Sequence, residues 1–181
     1  MQFHRITTAS DPSLTFIKKL YEDAFPPHER RDWDSLLNRI STDQEMHLDL
    51  IHTDDGHIGF IIWWEISGSY FVEHFAIDAE LRGKNYGASV LNYYKSLLPG
   101  RILLEVEPPE DEYSIRRIGF YERLGFQVLD FSYRQPSYTD PLVSYPMLLM
   151  ATSAFEESEL TVLAALIKEK IYTPKVLSAD R

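Results

Sequence analysis

The run YFVEHFAIDAELRGKNYGASVLNYYKSLLPGRILLEVE, residues 70–107, constrains the chain more than any other stretch. An apolar strand, YFVEHFAI, meets a turn rich in glycine and cations, RGKNYGA, and then a helix whose Val90, Leu91, Tyr94, Leu97 and Leu98 form one apolar stripe. Pro99 and Gly100 close that helix, and RILLEVE reads as a second strand. Two strands joined through a helix can lie side by side in parallel, by a right-handed crossover. The expectation is an α/β domain built around this unit.

The flanks fit a mixed sheet. QFHRIT reads as a short edge strand. Asp11 is expected to cap a helix with Pro12 at its first position and a core face of Leu14, Ile17, Leu20, Tyr21 and Ala24, stopped by Pro26 and Pro27. A second helix is predicted from near Asp32 to Ile40. Met46, Leu48 and Leu50 alternate along a strand, and DDG at residues 54–56 turns it into HIGFIIWWEI, an antiparallel hairpin. Downstream, SIRRIGFYERL predicts a helix capped by Gly125, and FQVLDFSY and YPMLLMA predict the last strands, separated by a loop holding Pro136 and Pro141. Residues 156–171 carry Leu160, Leu163, Leu166, Ile167 and Ile171 at helical intervals, so an extra amphipathic helix with a frayed tail is expected at the C-terminus.

At 181 residues and 44% hydrophobic, the chain can bury a sizeable single core. Its 18 Lys and Arg against 28 Asp and Glu give a net charge of −10, which argues against a broad grip on nucleic acid or an anionic membrane. Any phosphate site must therefore be local. No cysteine is present, so disulfides and thiolate chemistry are excluded, and the six histidines lack ligand spacing, so no metal is expected. The first residues lack a secretory pattern, and IGFIIWW is far too short to cross a bilayer. A soluble, cytoplasmic protein is the expectation.

Residues 82–88 combine what an anion needs. A turn between strand and helix presents unpaired backbone N–H groups and the positive end of the helix dipole. Gly83 and Gly87 allow close backbone approach, and Arg82 and Lys84 supply charge without a globally basic surface. Neither G-x-x-x-x-G-K-[ST] nor G-x-G-x-x-G with an acidic partner occurs, so a P-loop or dinucleotide fold is not supported.

The order of two motifs then resembles the GNAT N-acetyltransferase superfamily. Its (Q/R)-x-x-G-x-(G/A) turn reads here as Arg82-x-x-Asn85-x-Gly87, and its N-x-x-A-x-x-x-Y-x-x-x-G-F segment as Ser114-x-x-Arg117-x-x-x-Tyr121-x-x-x-Gly125-Phe126. Asn85 stands where the family usually has Gly, and Asn tolerates a left-handed backbone. The resemblance implies a mixed, mostly antiparallel sheet flanked by helices. Residues 1–152 would form the acetyltransferase domain, and 153–181 a C-terminal helix and tail packed on or extending it. It also implies acetyl-CoA as acyl donor, held by Phe75, Ala76, Ile77, Arg82, Gly83, Lys84, Asn85, Tyr86, Gly87, Ala88, Ser114 and Arg117.

A GNAT enzyme passes the acetyl group directly to an amine. An ammonium of pKa about 10.4 costs roughly 4.6 kcal/mol to neutralise at pH 7, so a base is needed. Glu73 stands where many family members carry that carboxylate. If the strand is regular, Phe71, Phe75 and Ile77 share its face and raise its pKa by desolvation, and His74 points to the other face. The other reading of Glu73 is an ion-paired strand residue. Tyr121 matches the family tyrosine and would donate to the departing thiolate, and a backbone N–H within residues 75–77 would hold the oxyanion. Glu105, alternating with Leu104 and Val106, could act as base or hold a cationic acceptor, and Arg30 and Arg31 could meet an acidic one. The acceptor is expected to be a small-molecule or peptide amine, and homodimerisation is compatible with the chain. The rival readings are a non-catalytic acyl-CoA-binding regulator and an N-acyltransferase for another acyl group.

Overall fold

The computed structural model describes residues 1–173. Its elements run β1 (Gln2–Ile6), α1 (Leu14–Ala24), a 3-10 turn (Pro27–Glu29), α2 (Trp33–Thr42), β2 (Met46–Thr53), β3 (Gly56–Ile66), β4 (Ser69–Ile77), a second 3-10 turn (Ala79–Leu81), α3 (Tyr86–Leu97), β5 (Ile102–Val106), α4 (Glu112–Arg123), β6 (Gln127–Val128), β7 (Tyr133–Pro136), β8 (Ser144–Ala151), α5 (Glu157–Ile167) and a π-helical turn (Lys168–Tyr172). The sheet is ordered β1-β2-β3-β4-β5-β8-β6, with β7 paired to β8. Among the described residues only β4 and β5 pair in parallel, as the crossover through α3 requires.

Alternation along β3 explains how both faces are covered. Phe60, Ile62 and Trp64 pack with α1, α2 and α5 through Ile17, Leu36 and Leu163, while Ile61 and Trp63 pack with α3 and α4 through Val90, Tyr94 and Ile118. Trp64, Tyr21 and Phe60 are among the largest side chains fully removed from water. Burial of each contributes about 1.5–3 kcal/mol, the main term holding the layers together. Gly59 marks where β3 and β4 approach most closely: a Cβ there would lie 2.3 Å from the Ala76 carbonyl oxygen. Among the described residues no helix is long and apolar enough to cross a membrane.

Two irregularities in β4 create the site. Ile62 pairs with His74 but Trp63 pairs with Val72, so Glu73 is the extra residue of a β-bulge. The parallel pairing of β4 with β5 runs from Tyr70 and Ile102 to Val72 and Leu104 and stops there, while both strands continue. From that point they part, and a gap opens between them.

Four boundaries differ from expectation. The first helix starts at Leu14, because Asp11 is committed to His4 and to the Ser13 N–H at 2.9 Å. FQVLDFSY splits into the two-residue β6 and a separate β7: the chain turns inward at Leu129, which is buried and donates to the Leu149 carbonyl. Pro136 ends β7 instead of lying in a loop. The C-terminal helix changes at Lys168 into a π turn closed by the Thr173 N–H on the Lys168 carbonyl at 3.2 Å. The expected frayed tail lies outside the described residues.

Candidate active site

The gap between β4 and β5 is the mouth of a cavity of about 890 Å³. Residues 72, 73 and 75–77 of β4, Leu104 and Glu105 of β5, Ala24 and Phe25 at the end of α1, the turn before α3 and one side of α4 line it. A cavity this size holds a ligand well beyond a few heavy atoms.

On the side of the cavity at the start of α3 the local sequence dictates the geometry. Asn85 adopts φ 62° and ψ 13°, the left-handed conformation its side chain tolerates, and Gly83 turns at φ 81°. No side chain caps α3, so its first N–H groups remain available at the cavity wall. The start of α4 is the reverse: Asp111 accepts from the Ser114 N–H at 2.7 Å, and the Ser114 hydroxyl accepts from the Asp111 N–H at 3.1 Å. This box corrects the cofactor-binding expectation for Ser114, whose buried side chain is spent on its own helix. Phe75, Ala76, Ile77, Arg82, Gly83, Asn85, Tyr86, Gly87, Ala88 and Arg117 do line the cavity, whereas Lys84 is exposed and outside the lining.

Arg117 is not a free cation. It pairs with Glu107 and lies 4.6 Å over the Tyr113 ring. Tyr113, Arg116, Phe120 and Arg123 also line the cavity. Sequence reasoning missed Tyr113, Phe120 and Arg123, although spacing of three and four residues along α4 puts Tyr113, Arg116, Arg117 and Phe120 on one side.

The side of the cavity formed by β4 and β5 differs more from expectation. The bulge turns Glu73 and His74 to the same face: Glu73 receives the Trp64 indole N–H at 2.5 Å, and His74 packs against Tyr21 and Phe25. Phe75 and Ile77 belong to the layer across the sheet. The Glu73 carboxylate is 0% exposed and pairs with Arg31, itself 6% exposed, while Tyr138 donates to it at 2.8 Å. Burial alone would raise this carboxyl, but Arg31, with His74 and the Trp64 N–H, holds it below the usual range. Glu73 thus fits the ion-paired reading and not the raised pKa, and Arg31, expected to meet an acidic acceptor, is paired with Glu73 instead. Arg30 donates to the Phe25 carbonyl at 2.9 Å and lies 5.7 Å over the Tyr21 ring, holding the end of α1.

Glu105 has the environment expected of Glu73. Its Oε2 receives the Tyr172 hydroxyl at 2.8 Å, and its Oε1 is buried with no hydrogen-bond partner among the described residues. Burial pushes its carboxyl up to about 7, against the opposing pull of the Tyr133 and Tyr172 phenols. Tyr121 lines the same cavity, and burial, partly offset by Arg117, pushes its phenol up to about 12. No group of three or more His, Asp or Glu suited to a metal ion occurs among the described residues.

The comparisons with known proteins agree with this architecture. Residues 47–128 match the model of the acetyltransferase (GNAT) domain. The chain is 30% identical over 132 residues to the Bacillus subtilis (strain 168) protein "Putative acetyltransferase YjbC", covering 70% of this chain and 68% of that one. A solved structure described as "Putative acetyltransferase from GNAT family from Bacteroides thetaiotaomicron" superposes with TM-score 0.89 at 33% identity, over 97% of this chain and 100% of that one. An aminoglycoside 6'-N-acetyltransferase complexed with coenzyme A shares the fold at TM-score 0.56 and 15% identity, over 86% of this chain and 99% of that one. A phosphate-type turn, parted central strands and these relatives lead to one assignment: the chain is an acyltransferase enzyme of the GNAT acetyltransferase family.

Proposed function

We propose that this chain transfers the acetyl group of acetyl-CoA directly to a primary amine, with Glu105 as the base. One observation carries the reading: a buried carboxylate with one oxygen left without a hydrogen-bond partner among the described residues, its pKa pushed up by burial, lines the same cavity as the uncapped start of α3. Bound acetyl-CoA would supply the activated thioester. The residues fit it: the N–H groups opening α3 and the side chains of Arg82, Arg116 and Arg123 suit its phosphates, and the unpaired edge of β4 at residues 75–77 suits its polar arm.

Magnitudes favour Glu105 over Glu73. Moving a proton from an ammonium of pKa about 10.4 to an ordinary carboxylate of about 4.3 is uphill by roughly 8 kcal/mol. With Glu105 at about 7 the step is uphill by about 4.6 kcal/mol, no more than the cost of meeting neutral solution. A carboxylate ion-paired to Arg31 is the poorer acceptor. Backbone N–H groups within residues 75–77 would face the oxyanion. Tyr121, with its phenol at about 12, serves the departing thiolate by sharing its proton in a hydrogen bond rather than surrendering it.

Release of free thiol from acetyl-CoA across an amine panel tests the reading, with longer acyl-CoAs as parallel arms for acyl preference. Glu105→Gln should lower turnover by about 10²–10⁴-fold, and Tyr121→Phe about tenfold, with CoA affinity unchanged in both. Equal turnover in wild type and Glu105→Gln would remove Glu105 as the base. CoA binding with no thiol release on any amine would overturn acetyl transfer to amines.

A further inference from the structure

The buried side-chain polar atoms left without a partner among the described residues are the Arg31 Nε, the His74 Nδ1, the Glu105 Oε1 and the Tyr133 hydroxyl. All four belong to the polar layer behind the parted strands. The C-terminal turn closes that layer. Arg39 donates to the carbonyls of Lys170 at 2.7 Å, Ile171 at 3.4 Å and Thr173 at 3.0 Å, and Arg31 donates to the Ile171 carbonyl at 3.0 Å. Both arginines are almost fully buried, 5% and 3% exposed, and Arg39 is also paired with Asp43. The guanidinium that neutralises Glu73 therefore also holds the residue before Tyr172. Ile171 is itself 0% exposed, and the Tyr172 ring packs 4.8 Å from that of Tyr138, which donates to Glu73.

We propose that the C-terminal turn is part of the active site, and that Tyr172 is a positioning residue which fixes Oε2 of Glu105 and leaves Oε1 as the atom that takes the proton. The inference rests on the reading of Glu105 as base. A lone buried carboxylate can rotate and offer either oxygen. A phenol held on a turn by two buried arginines removes that freedom and favours the ionised form. The groups acting on Glu105 are Tyr133 from β7, Tyr172 and Lys168 from the turn, and Glu73 from β4. Tyr133 interacts with Glu105 without the geometry of a hydrogen bond, so Tyr172 is its one formed donor among the described residues.

The test is the pH profile of kcat/KM for full-length wild type, Glu105→Gln, Tyr172→Phe and Tyr138→Phe. Loss of the Tyr172 hydroxyl should move the acidic limb up by about one pH unit, because the ionised base loses a donor. Tyr138→Phe removes a phenol from the same layer and should leave the limb in place. In a second arm, 3,5-difluorotyrosine at position 172 keeps the ring and strengthens the donor, and should move the limb down. If Tyr172→Phe does not fold, this arm decides alone. A limb unmoved by both changes at 172, or moved equally by Tyr138→Phe, overturns the role of Tyr172. A wild-type limb retained in Glu105→Gln overturns the base itself, so the two failures read differently.

Discussion

The two walls of the cavity are built on opposite plans. The wall proposed to hold the acyl donor, the donor wall, is one contiguous piece of chain, from Phe75 through Ala88, joined by one side of α4. Its key features are backbone conformations and helix ends, which short-range sequence determines. The wall proposed to face the acceptor, the acceptor wall, presents Glu73 and Glu105 and is backed by separated segments that bring Arg31, Tyr138 and Tyr172 onto them in one hydrogen-bonded and ion-paired layer. Donor-wall chemistry should therefore tolerate single changes, whereas acceptor-wall changes should spread into stability.

The largest effect is expected at the buried ion pair. Glu73→Gln leaves the Arg31 charge uncompensated at 6% exposure and should cost about 3–5 kcal/mol, read from the urea midpoint. A cost below about 1 kcal/mol would break the contrast. Next comes a pH-dependent effect at Glu105. A carboxyl raised to about 7 in the fold, above its ordinary value, keeps its proton where the unfolded chain releases it. Stability is therefore lost as pH rises from about 4.5 through 7, by on the order of 2–3 kcal/mol. Glu105→Gln removes that loss, so its melting temperature should match wild type at pH 4.5 and exceed it at pH 8. The smallest effect belongs to the donor wall. Asn85→Gly should leave CoA affinity within about twofold by calorimetry, while Asn85→Ala, strained at φ 62°, should cost about 1 kcal/mol in stability.

The same contrast explains what the sequence made legible. Turn chemistry and motif order placed the crossover, the left-handed Asn85, the Gly125 cap and Tyr121, because each is set within a few residues of itself. Ser114 was misread because the capping role of Asp111, three residues earlier, competes for its hydroxyl. Glu73 and Glu105 owe their environments to longer-range meetings. Which of two carboxylates meets a guanidinium depends on Arg31, 42 residues before Glu73, and which meets a phenol depends on Tyr172, 67 residues after Glu105. No periodicity in either strand encodes those meetings. The bulge was equally hidden, since YFVEHFAI alternates acceptably with or without an extra residue.

That single additional residue works as a half-step in the weave of β4. Upstream of it the strand displays its side chains in one phase, and downstream in the other, so Phe75 and Ile77 are delivered to the side occupied by α3 and α4. Deleting position 73 would restore even pleating and leave the later side chains on the faces they now have, whereas an evenly pleated strand that kept Glu73 would swap every later side chain across the sheet. Phe75 would then be thrust among the arginines and tyrosines, and Ala76 would be turned toward α3 and α4. One inserted amino acid thus lets a continuous strand serve two differently furnished rooms.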